Sequence, residues 1–131
     1  MSIWGRQFSA KLIAIVVVFV LVGAIVAAVS RTPAREVMVV VRGMAFYLEG
    51  DPTPNPTIRV KAGERVRIVL RNEDRGFVHD FAVPAADGAV DQVRWSETNV
   101  ATIEMPAAPG TYKYFCRPHQ LMMSGTLIVE R

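Results

Sequence analysis

The sequence predicts an all-β domain, a sandwich or barrel of about eight short strands, preceded by one membrane-spanning helix. Three observations carry this. Residues 12–29 (LIAIVVVFVLVGAIVAAV) hold no charge, and only Gly23 falls outside the hydrophobic set. From Glu36 onward the hydrophobic pattern repeats every second residue, the period of a strand and not of a helix. Gly- and Pro-rich turns then separate the apolar runs at short intervals, the spacing of a β-sandwich or barrel.

The apolar run comes first. Eighteen residues as a helix extend about 27 Å at ~1.5 Å per residue, close to a ~30 Å bilayer core. A buried helix of a small soluble domain has no need to be apolar on every face. The alternative is a cleaved signal peptide, with Ala28-Val29-Ser30 as the cleavage site. Its hydrophobic region would be long against the usual ~7–15 residues. The expected organisation is an anchor or uncleaved signal over 1–30, a linker over 31–35 containing Pro33, and one domain over 36–131. Arg6 and Lys11 precede the run, and a short basic head normally stays inside. The domain is then expected outside the cytoplasm on a single-pass tether.

The strands follow in order. Glu36–Arg42 and Met44–Glu49 are rich in β-branched and aromatic residues. Gly50–Pro56 carries three prolines and reads as loop. Thr57–Val60 resumes a strand, and Lys61–Glu64 is a turn. In Arg65–Arg71, Val66, Ile68 and Leu70 face one way and Arg65, Arg67 and Arg71 the other, the signature of a half-buried strand. Phe77–Val83 is the next strand. Ala85–Glu97 shows no period and reads as loop or a short helical turn. Val100–Met105, Thr111–Cys116 and Thr126–Arg131 complete the set.

Composition narrows the chemistry. The chain has one Cys and two His. That excludes an intramolecular disulfide, a four-cysteine zinc or iron–sulfur site, Cys-x-x-Cys-His haem attachment and any multi-copper cluster. Residues from Ser30 onward are 44% hydrophobic, ordinary for a globular domain, and carry 13 Lys+Arg against 12 Asp+Glu. Near-neutrality, without aromatics interleaved among the arginines, argues against a nucleic-acid partner.

The informative stretch is Cys116-Arg117-Pro118-His119-Gln120-Leu121-Met122-Met123-Ser124-Gly125. It places a thiol, an imidazole and two thioethers on a loop between two predicted strands. The other imidazole, His79, lies on an upstream strand. Two imidazoles, one thiolate and a weak axial thioether make the ligand set of a blue-copper electron-transfer site. Thiolate and thioether favour Cu(I), imidazole serves Cu(II), and an intermediate geometry lets the electron move with little rearrangement. Pro118 stiffens the loop and removes one backbone donor.

The segment from Gly110 to His119, continuing through Met123-Ser124-Gly125-Thr126-Leu127, resembles the carboxyl-terminal copper loop of the cupredoxins, which include plastocyanin, amicyanin, pseudoazurin and azurin. The Cys-x-x-His spacing with Pro before His is similar to plastocyanin and amicyanin. The His-x-x-x-Met-x-Gly-Thr-Leu ending is similar to azurin. Lys61-Ala62-Gly63-Glu64-x-Val66, then a strand, then His79, matches the family layout.

The resemblance implies a Greek-key cupredoxin-like β-sandwich holding one type 1 copper ion. His79, Cys116 and His119 would be the strong ligands. Met123 would be the axial ligand, since it precedes x-Gly; Met122, at the amicyanin spacing, is the alternative. Asp80 and Arg117 stand where many members carry Asn and Ser or Thr that tie the ligand loops together. An Asp80–Arg117 ion pair is therefore expected as the replacement. His119 would be the partly exposed ligand, with Leu121 and Met122 contributing to an apolar patch where partners dock.

The implied function is a membrane-tethered carrier of single electrons, exchanging them with redox proteins or membrane-bound electron-transfer complexes outside the cytoplasm. It would not be an enzyme. Copper handling, as a chaperone or store, uses the same ligand set and stays open. A Cys116–His119 nucleophile and base is a third reading, but no third orienting group is visible in the sequence.

Overall fold

The computed structural model describes residues 13–20 and 33–131. Residues 13–20 are helical; the rest of the expected anchor lies outside the described residues. No helix among the described residues is long and apolar enough to cross a membrane. The chain divides between Pro33 and Ala34, and the second unit holds nine strands.

These are β1 (Arg35–Arg42), β2 (Ala45–Leu48), β3 (Ile58–Lys61), β4 (Arg65–Asn72), β5 (His79–Val83), β6 (Gly88–Val93), β7 (Thr98–Glu104), β8 (Gly110–Phe115) and β9 (Ser124–Glu130). They form two sheets, β2-β1-β4-β7 and β3-β9-β8-β5-β6. The β1–β4 and β3–β9 pairs are parallel and the other pairings antiparallel. Eight of the strands overlap those expected from periodicity. β1 begins at Arg35, inside the stretch expected as linker.

β6 corrects the reading of Ala85–Glu97 as loop or helical turn. Only Pro84–Ala86 forms a short 3-10 turn there. The strand was hidden because its register slips. Phe81 pairs with Val90 and His79 with Val93, so two steps along β5 meet three along β6. The bulge moves the buried valines of β6 to a spacing of three and erases the alternation.

The core lies between the sheets. Val39, Val41, Phe46, Val66, Ile68 and Leu70 from one sheet meet Phe81, Val83, Val90, Tyr114, Leu127 and Val129 from the other. At its centre Phe46 sits edge-on to Phe81 (5.3 Å, 76°), which stacks on Tyr114 (5.0 Å, 23°). Aromatic pairs in such arrangements add to plain area burial. Gly125 pairs with Tyr114 across β8 and β9, and the ring fills the space a side chain at Gly125 would take. The Tyr114 hydroxyl donates to the Pro56 carbonyl at 2.5 Å. The core continues upward: Cys116 and Met123 belong to the same buried cluster, so the site stands on packed aromatics.

β1 and β2 are joined by a two-residue turn, Gly43-Met44, with φ of 59° and 58°. Positive φ at both central positions is the hairpin geometry that matches strand twist. Met44 is a non-glycine residue there, an uncommon placement that needs outside support.

Candidate metal centre

The C-terminal ligand loop is closed at both ends by backbone bonds. Cys116 follows β8 directly. Arg117–His119 forms a 3-10 turn with Pro118 in its first positions, where a missing N–H costs nothing. The amides of Met122 and Met123 donate to the His119 carbonyl (3.0 and 2.9 Å), and the Cys116 amide donates to the Met123 carbonyl (2.9 Å). The last bond continues the β8–β9 ladder past Phe115 and Ser124, so Met123 lies across from Cys116.

His79 opens β5, which pairs with β8 through Ala82 and Phe115. Its Nδ1 is 3.8 Å from the Cys116 Sγ, and His119 Nδ1 is 3.5 Å from the same sulfur. The three donor atoms all lie within 4.8 Å of one another. The imidazole rings are 4.9 Å apart. His79, Cys116 and Met123 have no solvent exposure, while His119 is half-buried. Met122 is 59% exposed and Leu121 fully exposed. The structure thus brings His79, Cys116, His119 and Met123 to one end of the sandwich and turns Met122 outward.

Burial and charge set the donors' protonation. Burial is the main cause pushing His79 below the ordinary imidazole range; the nearby His119 pushes the same way, and Asp74 opposes both. His79 is therefore neutral near pH 7, as a metal ligand requires. Burial also pushes the Cys116 thiol up, so without a metal ion it is a poor thiolate and a poor nucleophile. A soft, buried, convergent S/N/N set with a thioether beside it suits copper better than a hard cation.

Asp80, next to His79 on β5, is 1% exposed. Its Oδ1 accepts the Arg117 amide at 2.7 Å, and its Oδ2 pairs with Arg117 Nε at 2.7 Å. The contact joins β5 to the ligand loop immediately beside a candidate ligand on each. Asp80 in turn pushes the Arg117 guanidinium further above its ordinary range, first by the hydrogen bond and then by its charge.

Several neighbours escape sequence reasoning. Asn55 donates from Nδ2 to the Met122 carbonyl (3.1 Å) and accepts the Phe46 amide (3.0 Å), fixing the ligand loop to the proline-rich loop. The Phe77 ring lies 6.3 Å from His79 and 6.0 Å from His119, and is 49% exposed. Asp74 touches His79 from behind. Asn55 is 67 residues from its contact in the chain, and Asp74 sits in a loop with no periodicity. No local signal marks either.

Comparison with known proteins agrees with the geometry. The family model for the cupredoxin-like domain matches residues 12–129. Amicyanin-alpha of Methylorubrum extorquens is 28% identical over 123 residues, covering 94% of this chain and 96% of its own. Auracyanin B is similar in structure, with a TM-score of 0.60 at 23% identity over 78% of this chain and 93% of its own. Auracyanin A, a blue copper protein of Chloroflexus aurantiacus, has a TM-score of 0.59 at 23% identity over 75% and 100%.

Proposed function

The chain belongs to the cupredoxin-like domain family, and from that premise we propose that it carries single electrons between redox partners outside the cytoplasm, held to a membrane by residues 12–29. The set His79, Cys116, His119 and Met123 fits one type 1 copper ion. One observation carries the reading: a buried thiol flanked by two imidazole nitrogens at 3.5 and 3.8 Å, on a loop closed by its own backbone bonds. Copper bound there would supply the Cu(I)/Cu(II) couple. The residues' part is to hold the donors fixed, so that neither oxidation state requires rearrangement.

Met123 is the proposed axial ligand. Its burial beside Cys116 supports this, whereas Met122 presents its side chain to solvent. Leu121, Met122 and Phe77 surround the half-buried His119 with exposed apolar surface, and we assign partner docking to that face. Membrane attachment rests on the uncharged 18-residue run.

The test is the full chain loaded with Cu(II). Intense thiolate-to-copper absorption and an EPR spectrum with narrow parallel hyperfine splitting are expected. A colourless protein that binds only Cu(I) would instead make it a copper-handling protein. Recovery in the membrane fraction after a high-salt, high-pH wash tests the tether; release into the wash would overturn it.

A further inference from the structure

The loop between β4 and β5 carries a carboxylate that the ligand set does not use. Asp74 is 12% exposed. Its Oδ1 accepts the Gly43 amide at 2.6 Å and its Oδ2 the Met44 amide at 2.9 Å. The same Oδ2 lies 3.2 Å from His79 Nε2. That contact is off the line of a full hydrogen bond, and Nε2 has no other partner among the described residues. Asn72, fully buried, fixes the loop from its other end. It accepts the Asp74 amide at 2.8 Å and donates to the Phe77 and Val93 carbonyls at 2.9 and 3.1 Å.

From this geometry we infer that Asp74 is the positioning residue for His79, locking its ring and tautomer and placing a negative charge behind it. The inference rests on the reading of His79 as a copper ligand. Nδ1 faces the Cys116 sulfur, so a ring that ligates through Nδ1 carries its proton on Nε2, where Asp74 stands. A carboxylate behind a ligating imidazole fixes its orientation and raises its basicity. Little water reaches Asp74 to screen its charge, so it favours Cu(II) over Cu(I). The same oxygens hold the amides of the Gly43-Met44 turn, so the β1–β2 hairpin, distant in sequence, becomes the rear wall of the site.

Two variants of the full chain separate electronic from structural roles. D74N keeps the shape and an acceptor for the turn but removes the charge; D74A removes both. With one equivalent of Cu(II), both variants are expected to shift the midpoint potential upward and weaken Cu(II) binding about tenfold. The His79 Nε2–H resonance of the copper-free protein should move upfield and exchange faster in both. Unchanged potential and unchanged Nε2–H resonance in D74N, with an intact melting transition, would overturn the inference and leave Asp74 as a turn anchor only. The copper-free resonance reads the Asp74–His79 contact by itself. Lack of a blue band in the wild type would count against the copper reading and leave that resonance as Asp74 sets it.

Discussion

The Asp80 carboxylate receives two bonds from Arg117, one from the backbone amide and one from the guanidinium, each 2.7 Å long. The two donors differ in what they do. The amide bond fixes the chain one residue past Cys116; the guanidinium neutralises a carboxylate that is almost without solvent. Charge-assisted hydrogen bonds of this length are worth more than neutral ones. D80A removes both and should cost about 2 kcal/mol of stability and about tenfold in copper affinity. R117A keeps the amide bond, and its side chain is half in water, so its effect on copper affinity should be several-fold smaller. Chemical denaturation and copper titration of the two variants side by side check this. Equal losses would place the whole effect in the guanidinium.

Met122 and Met123 are adjacent but not equivalent. The bond from the Cys116 amide to the Met123 carbonyl extends the β8–β9 ladder by one residue, whereas Met122 lies in the preceding turn with its side chain exposed, and only Met123 reaches the buried cluster with Cys116. M123A should therefore change both the visible spectrum and the midpoint potential, and should also destabilise the copper-free protein, by about 2–4 kcal/mol for the buried methionine. M122A should leave spectrum, potential and stability close to wild type. An unchanged spectrum and potential in M123A would reject it as axial ligand.

How much was legible follows from the kind of signal each residue leaves. Arg65–Arg71 alternates because β4 has one face on the core and one toward water, where Arg67 pairs with Glu36 at 3.1 Å. The ligand loop could be read because Cys116, His119 and Met123 are close in the chain and made of rare residue types. β6 could not, because its bulge breaks the period on which strand reading depends. Asp74, Asn72 and Asn55 could not either. Each is a residue type common in loops, and its role exists only once distant partners meet in space: the β1–β2 turn and His79 for Asp74, Phe77 and Val93 for Asn72, Phe46 and the ligand loop for Asn55. The Asp80–Arg117 contact was approachable because both residues flank candidate ligands in sequence, so the question of what joins those ligands pointed to them.

Gly125 and Tyr114 give a packing prediction. They face each other across the β8–β9 pair, and a Cβ on Gly125 would overlap the tyrosine ring. The ring has no room to retreat, since it is fully buried, stacked on Phe81 and tied by its hydroxyl to Pro56. G125A should destabilise the domain by about 1–3 kcal/mol, the usual cost of overpacking. Y114F keeps the ring and strands the Pro56 carbonyl, for about 1 kcal/mol. In Y114F/G125A the clash remains, so the double variant should be no more stable than G125A alone. Thermal melting of the copper-free proteins decides it; a double variant restored to wild-type stability would show the hydroxyl, and not the ring, to be the obstacle.

The last prediction concerns acid stability far from the metal centre. Glu64 is partly buried, and burial alone would raise its carboxyl. The Arg35 hydrogen bond (2.7 Å), the Lys61 amide (2.8 Å) and the charges of Arg35 and Lys61 together outweigh that and hold it below 4.5. A carboxyl depressed on folding stabilises the native state above its unfolded pKa, and that stability is lost as pH falls through the folded value. At pH 7, E64Q should therefore be less stable than wild type by about 1 kcal/mol, discounted for the half-exposed Arg35. The gap should hold down to about pH 5 and narrow below the 4.5 reference as the wild type protonates. Denaturant melts of the two proteins from pH 7 to pH 3 read it directly. A gap independent of pH would mean that Glu64 acts through shape at the Lys61–Glu64 turn and not through its charge.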